Sequence, residues 1–333
     1  MKLKHIKIQN YKGLGELILK DIPHNLSFVY GIHGTGKTRL IDTIAFIQDC
    51  LVTDLKTAIS KRGGIEDVFG NNQFIRFDLV FDNLISYQLD IGFDTKNGVF
   101  IREESIGCNI NGKSYYILYH SFSGIEFIVN EFDMINYSYA PVFNTNPYPF
   151  DDLALKFNIN DSLDTIGSIR QFLLGIQIID TSKFDSSLIT EKNFKQLCTQ
   201  LSDKFDYMLM YPIDYHFDRI LKYMSIGELN LFFNMLVLDL KNKSMIVIDT
   251  PEANINSDFL FELAFEYLQY ANTSGSQLLI TTRSKFMLDA IDITQSYLIE
   301  NDITLYPCVT KLCNIKPVTN RYNKGTPLSK IHF

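Results

Sequence analysis

Leu26-Ser-Phe-Val-Tyr-Gly-Ile-His-Gly-Thr-Gly-Lys-Thr-Arg-Leu-Ile-Asp-Thr-Ile-Ala-Phe-Ile-Gln48 is the stretch on which the reading of this chain turns. Leu26 to Tyr30 is a short apolar run of strand type, and it leads directly into a loop with glycines at 31, 34 and 36. Beyond the loop, Leu40, Ile41, Ile44, Ala45 and Ile47 recur at helical spacing. Gly31, Gly36, Lys37 and Thr38 satisfy G-x-x-x-x-G-K-[ST], and a strand before and a helix after are the context that gives this pattern its meaning. The glycines let successive backbone N–H groups turn toward one centre. The helix N-terminus adds its dipole, Lys37 supplies a point charge for β/γ-phosphates, and the Thr38 hydroxyl is a Mg²⁺ ligand type. His33, Thr35 and Arg39 flank these positions and belong to the same candidate phosphate site.

Working outward, Leu3, Ile6 and Ile8, then Leu17 and Leu19, mark two short strands before the loop. Phe74–Phe81, Ser86–Phe93 and Ser114–Tyr119 alternate apolar and polar residues, which predicts an antiparallel meander from Phe74 to about Phe132. The Pro-rich stretch Asn146-Pro-Tyr-Pro149 marks a boundary. After it, Ile166, Ile169, Phe172, Leu173 and Ile176, then Phe194, Leu197, Leu201, Phe205 and Met208, outline two amphipathic helices too short for a coiled-coil arm. The last third reads as helix (Leu229 to Leu240), strand (Met245–Ile248), helix (Phe259 to Tyr270) and strand (Gln277–Thr282). Its strands are continuous apolar runs, as in a parallel sheet covered on both faces. The expectation is an α/β chain with a first lobe over 1–148, a helical insertion over 149–215 and a second lobe over 216–333.

The strand Met245-Ile-Val-Ile-Asp249 ends in an acid, a Walker B pattern in which the carboxylate holds Mg²⁺ beside the phosphate loop. Met224-Ser-Ile-Gly-Glu228, just before an amphipathic helix, resembles the LSxGE/Q signature of ABC-type ATPases; a serine N-cap with a nearby acid fits the same residues. In the expected order follow Pro251-Glu252, a D-loop-like Asn254-Ile-Asn-Ser-Asp258, and Thr281-Thr-Arg-Ser284 where relatives carry Thr-Thr-His-Ser. About 190 residues separate Lys37 from Ser225, roughly twice what a transporter subunit uses. That spacing resembles the P-loop NTPase heads of the SMC-like, RecF-like and OLD-like branch: a mixed sheet, an antiparallel β-subdomain and a short helical insertion. Ile248-Asp-Thr-Pro-Glu-Ala-Asn254 and the opening Ile8-Gln-Asn-Tyr-Lys-Gly-Leu-Gly15 look closest to the OLD-like AAA family ATPases of bacterial defence.

The resemblance implies ATP and Mg²⁺ as cofactors. Gly31, His33, Gly34, Thr35, Gly36, Lys37, Thr38 and Arg39 would bind one nucleotide, and Ser225, Gly227 and Glu228 would engage the γ-phosphate of a second subunit. Thr38 and Asp249 would hold the metal, and Asp249, Glu252 and Arg283 would serve catalysis. Two positions depart from the pattern. Thr250 stands where relatives carry the glutamate that polarises water, and Arg283 where they carry a histidine. A threonine is no general base near neutral pH; Arg283 can still stabilise γ-phosphate charge, and Glu252 is the nearest spare carboxylate. Either hydrolysis is slow, or nucleotide mainly holds a dimer together. Gln73 and Gln88 are the nearest Q-loop candidates, and each reads better as an exposed strand residue. His120 and His216 lack metal-ligand spacing, and Lys61-Arg62 reads as a solvated turn or a phosphate or DNA contact.

The chain has 333 residues, 46% hydrophobic and 21% charged, the balance of a globular protein rather than a disordered or coiled-coil one. Five scattered cysteines without a CxxC pair argue against a disulfide framework or a structural zinc site and fit a reducing cytoplasm. The N-terminus lacks a signal-peptide core and no run is long enough to span a bilayer, so the expectation is a cytoplasmic chain with no membrane contact. A net charge of −7 provides no global basic footprint, which leaves DNA as a partner only through a local patch. No TOPRIM-like acidic cluster or HNH-like set follows Arg283, so any nuclease or toxin is expected on another chain. What the resemblance implies is an ATP-dependent homodimer or higher oligomer that regulates or holds a separate effector, in anti-phage defence or a toxin–antitoxin-like system. A RecF/SMC-like DNA-repair clamp and a non-hydrolysing ATP-stabilised scaffold are the rivals.

Overall fold

The computed structural model describes residues 1–82, 84–96, 98–110, 113–121, 124–128, 141–143, 152–156, 164–181, 190–205, 222–240, 243–303 and 306–333. The Pro-rich boundary at 146–149, the end of the meander near Phe132, Met208 and His216 lie outside them. The chain forms two compact units that interleave along the sequence: Met1–His24, Thr38–Ile176 and Glu300–Val309 in the first, Asn25–Lys37, Gln177–Ile299 and Thr310–Phe333 in the second. Among the described residues no helix is long and apolar enough to cross a membrane.

The first unit is built on an antiparallel sheet. Its strands are β1 (Leu3–Gln9), β2 (Glu16–Leu19), β4 (Phe74–Phe81), β5 (Ile85–Asp94), β6 (Gly98–Ile110), β7 (Lys113–Ser121), β8 (Gly124–Ile128) and β9 (Pro141–Phe143), in the order β2-β1-β4-β5-β6-β7-β8-β9. Ile8 of β1 lies opposite Leu17 on one side and Phe77 on the other, so the two opening strands join the meander. In β4 the alternation is literal: Ile75, Phe77, Leu79 and Phe81 are buried and the residues between them only partly so. Helix α1 (Lys37–Val52) brings Phe46 against Tyr11 and Phe77, and α4 (Asp164–Leu174) brings Phe172 against Phe81. Gln48 of α1 donates to the carbonyls of Leu173 and Ile176 at 2.7 and 2.8 Å, which fixes the end of α4.

Strand β6 carries the charged run Arg102-Glu-Glu-Ser105, within which Glu104 points inward and is wholly buried. Its carboxylate accepts from Tyr87 Oη (3.0 Å), from the backbone N–H groups of Leu155 (3.1 Å) and Ala154 (2.5 Å), and lies 3.3 Å from His120 Nδ1. A buried carboxylate is tolerable only when its lone pairs are satisfied in this way. His120 is thus part of a sheet-to-turn anchor.

Lys61 and Arg62 follow helix α2 (Leu55–Ser60) and precede α3 (Ile65–Phe69). The expected solvated or DNA-facing turn is not what forms at Arg62. Its guanidinium is buried, donates to Asp42 and Asp49 at 2.8 Å each, and lies over the Phe46 ring at 5.2 Å. Tyr11 and Lys12 donate to the other oxygen of Asp42, tying the turn after β1 to α1. Burial works against the charge on Asp42, but Lys12, Arg62 and Tyr11 together hold its carboxyl below the usual 3.8.

The other sheet consists of β3 (Leu26–Tyr30), β10 (Ile176–Asp180), β11 (Met245–Asp249), β12 (Gln277–Thr282), β13 (Ser296–Asn301) and β14 (Pro307–Lys311), in the order β10-β11-β12-β3-β13-β14, and its strands β3, β11 and β12 belong wholly to the second unit. β11, β12, β3 and β13 pair in parallel, and every residue of β3, β11 and β12 is buried, as their unbroken apolar character requires. Helices α5 (Glu191–Phe205), α6 (Ile226–Leu238), α7 (Leu260–Ser274) and α8 (Lys316–Tyr322) complete this unit. Phe194 stacks on Phe232 at 5.4 Å, and Leu197, Leu201, Leu263, Tyr267 and Val318 share the core. The expected mixed α/β architecture is present, with its antiparallel and parallel parts as separate sheets.

Replacing Arg62 with Met keeps the stem and removes the guanidinium that both Asp42 and Asp49 share. The expected loss is about 2 kcal/mol, less than for a fully buried pair because Lys12 and Lys61 remain. Because the folded-state carboxyls lie below 3.8, this contribution is present above that pH and disappears as pH falls through their folded values. Urea midpoints at pH 7 and pH 3 check both statements.

Candidate functional site

Parallel strands β11, β12 and β3 end at one edge of the sheet, where Asp249 lies beside Thr281 and Thr281 beside Val29. Loops leaving the carboxyl ends of such strands are where α/β sheets build ligand sites. The chain leaves β3 at Tyr30, and Gly31 N–H donates to Thr282 O at 3.1 Å. Only glycine fits at 31: a Cβ there would lie 2.5 Å from Ile299 O and 2.7 Å from Thr35 Oγ1. Gly34 and Gly36 have φ of +79° and +93°, the left-handed region that turns their N–H groups around the loop. Thr35 Oγ1 donates to Ile32 O at 2.9 Å and steadies the bend.

Lys37, the first residue of α1, folds back over this loop and donates to the carbonyls of Gly31 (2.5 Å) and Ile32 (2.7 Å). It is 5% exposed. Burial first, and then the Arg283 guanidinium, push the ammonium down to about 8, although Asp249 and Glu252 oppose them. Thr38 and Arg39 are the next residues of α1, and both are exposed.

Asp249 is buried and accepts from Thr281 Oγ1 at 2.5 Å. The turn that follows has Thr250 at φ +48° and Asn254 at φ +61°. For a β-branched residue that conformation costs on the order of 1–2 kcal/mol and persists only where neighbours over-determine it. They do so here. Thr250 N–H donates to Thr281 O (3.0 Å), and Thr181 Oγ1 donates to the carbonyls of Asp249 (3.0 Å) and Thr250 (2.8 Å). Glu252, two residues on, accepts from Arg283 N–H at 2.6 Å through Oε1, while its Oε2 is buried with no partner. Burial raises the Glu252 carboxyl above its ordinary value, opposed by that bond, by its own backbone, by the Thr282 side chain and by the Arg283 charge. The Arg283 side chain is exposed, and its Nη1 meets His33 Nε2 in the glycine-rich loop.

Ser225 and Glu228 form a capping box on α6: Ser225 Oγ accepts from Glu228 N–H (3.2 Å), and the Glu228 carboxylate accepts from Ser225 N–H (2.7 Å). Gly227 is pressed against the turn, since a Cβ on it would lie 2.4 Å from Asn254 O. Gly31, His33, Thr35, Lys37, Asp249, Glu252 and Arg283 therefore gather around the strand ends, and Ser225, Gly227 and Glu228 occupy the N-terminus of α6 beside the D-loop-like segment. Gln73 and Gln88 are in the first unit, one before β4 and one in β5, where Gln88 accepts from Arg76 at 2.5 Å. Sequence reasoning missed Thr181, Asn230, Asn234 and Tyr267. Asn230 and Asn234, four apart and buried in an otherwise apolar helix, were the available signal.

No protein-family profile matches the chain, and no curated protein matches it. Solved structures do. The SMC head domain from Thermotoga maritima has a TM-score of 0.52 and 12% identity over 93% of this chain and 99% of its own. An SMC head bound to the C-winged helix domain of ScpA has a TM-score of 0.52 and 12% identity over 95% of this chain and 100% of its own. An SMC head with an extended coiled coil bound to the C-terminal domain of ScpA, derived from Pyrococcus furiosus, has a TM-score of 0.52 and 11% identity over 98% and 100%. The chain shares the fold of SMC head domains.

A polyphosphate bound at this loop would restore counter-charge to Lys37 and raise its pKa above about 8. Binding then takes up a proton between the free and bound values, so affinity falls as pH rises past about 8, toward tenfold per pH unit. Calorimetry at pH 9 in two buffers of different ionisation enthalpy should show uptake approaching one proton; affinity flat from pH 7 to 9.5 would contradict the assignment.

Proposed function

We propose that this chain is the nucleotide-binding head of an ABC-type ATPase that closes on a second copy of itself around Mg-ATP and hydrolyses it slowly. The observation that carries the reading is the buried Lys37 ammonium, folded over the loop after β3 with Asp249, Glu252 and Arg283 near enough to act on its charge. The glycine-rich loop, with His33, Thr35, Thr38 and Arg39, takes the phosphates. Asp249 and the Thr38 hydroxyl are the donor types a Mg²⁺ needs when waters and phosphate oxygens complete its shell. Among the described residues no group of three His, Cys, Asp or Glu side chains is placed to hold a metal without such help. Bound there, Mg²⁺ would neutralise charge on the phosphate oxygens.

Thr250 has no carboxylate, so the proton of the attacking water goes to Glu252. The water oxygen bonds the γ-phosphorus as the bond to the bridging oxygen breaks, and that oxygen leaves on ADP. A buried carboxyl raised above its ordinary value suits this task better than an exposed one. Arg283, with its backbone on Glu252 and its guanidinium at His33, stabilises charge on the γ-phosphate. Ser225, Gly227 and Glu228 offer the N-terminus of α6 to the nucleotide of the second copy.

One neighbour was solved with a winged helix domain bound to its head, which supports a protein partner for this chain also. The effector implied by the OLD-like resemblance, a nuclease or toxin of a defence system, is a partner of that kind. A DNA-clamp reading has its own support. Ile303–Phe333 holds five Lys and Arg and no acid in a chain of net charge −7, and Lys316, Arg321, Lys324 and Lys330 are exposed. Binding of duplex DNA that weakens steeply with salt is what that reading requires.

Sedimentation tests the assembly. With Mg-ATP the parent chain should associate; Lys37→Ala should lose both nucleotide and association, and Ser225→Arg should keep nucleotide and lose association. Association of Ser225→Arg at the parent level would place the interface elsewhere.

Phosphate release tests the base. Glu252→Gln should slow turnover by about 10²-fold or more, within the usual range for a general base. Thr250→Glu should then change it little. A rise of ~10-fold in Thr250→Glu would instead mean that the carboxylate missing at 250 limits the rate.

A further inference from the structure

The turn that carries Glu252 is held by one face of α6. Asn230 Nδ2 donates to Ala253 O at 2.6 Å, and Asn234 Nδ2 donates to Pro251 O at 3.1 Å and to Asn230 O at 2.7 Å. Tyr267 Oη donates to Asn234 Oδ1, which orients the amide so that its N–H₂ faces those carbonyls. Gly227, Asn230 and Asn234 fall at i, i+3 and i+7, a single stripe along the helix, and all three meet the segment Pro251–Asn254. The two carbonyls flanking Glu252 in sequence are therefore gripped by side chains, and the turn's ends sit in left-handed conformations. Glu252 itself is tethered at one oxygen only. Two buried amides in an apolar helix are an expensive way to satisfy a turn whose Asn254 already reaches solvent.

We propose that Asn230 and Asn234 are positioning residues that aim the Glu252 carboxylate by holding the carbonyls on either side of it, with Tyr267 fixing the orientation of the Asn234 amide. The catalytic consequence rests on the ATPase reading above; the positioning itself does not. The charged and titratable groups around Glu252 are Lys37, Arg283 and Tyr267.

The experiment uses the full chain with Asn230→Leu/Asn234→Leu, and with Tyr267→Phe as a milder variant should the double one fail to fold. The first readout needs no nucleotide. The ¹³C carboxyl titration of Glu252, assigned by its loss in Glu252→Gln, should move upward by about 0.5 pH unit or more, because a slipping turn lengthens the Arg283 N–H bond that opposes burial. No upward movement in any folded variant overturns the proposal.

The second readout is a double-mutant cycle on kcat. Asn234→Leu should lower kcat by ~10-fold with KM within about twofold, and should add nothing when Glu252 is already Gln. Losses that multiply, or a KM that rises with falling kcat, overturn a role exerted through Glu252. A parent chain that binds no ATP defeats the proposed function and leaves the titration result to decide the positioning role.

Discussion

A lysine ammonium turned inward over two backbone carbonyls, at the carboxyl end of a buried parallel sheet, is the constraint around which the second unit is arranged. Lys37 can sit there only because Gly31 lacks a Cβ and because Gly34 and Gly36 let the loop double back. The placement takes the ammonium out of water, and that burial is the main reason its pKa falls to about 8. The charge of Arg283 adds to that lowering, and Asp249 and Glu252 oppose it.

The turn after β11 shows how such a site is kept in shape. Its strained ends at Thr250 and Asn254 are not stabilised by their own sequence; they are held by hydroxyls and amides from β10's end, β12 and α6. Arg283 N–H then pins Glu252. The stored strain and the pinned carboxylate are two aspects of one arrangement, in which backbone geometry rather than side-chain length decides where the acid points.

The first unit handles charge differently. Asp42, Asp49, Arg62, Lys12 and Tyr11 form a partly buried network between α1, the turn after β1 and the end of α2. Glu104 is satisfied by a hydroxyl and two backbone N–H groups. In each case a charge taken out of water is tolerated because every strong acceptor site has a donor, and the result is specificity of register more than bulk stability.

The glycine-rich loop, the apolar strands of the parallel sheet, the strand ending in Asp249 and the Ser225 cap were legible in the sequence. Each is a local pattern in which residue type and spacing carry the physics: glycine for positive φ, alternation or its absence for one or two buried faces, serine and glutamate three apart for a cap. The inward turn of Glu104 and the burial of Arg62 were not legible, since a charged residue in a strand or turn reads as solvent-facing until its partners, tens of residues away, are in place. Nor could Asn230, Asn234 and Thr181 be assigned, because their meaning lies in carbonyls that face them only after β10, β11 and α6 have packed. The sequence by itself determined which segments form the fold and where the glycine-rich loop lies; the tertiary structure decided how the carboxylates beside that loop are aimed, because aim depends on hydrogen bonds between segments that no local pattern encodes.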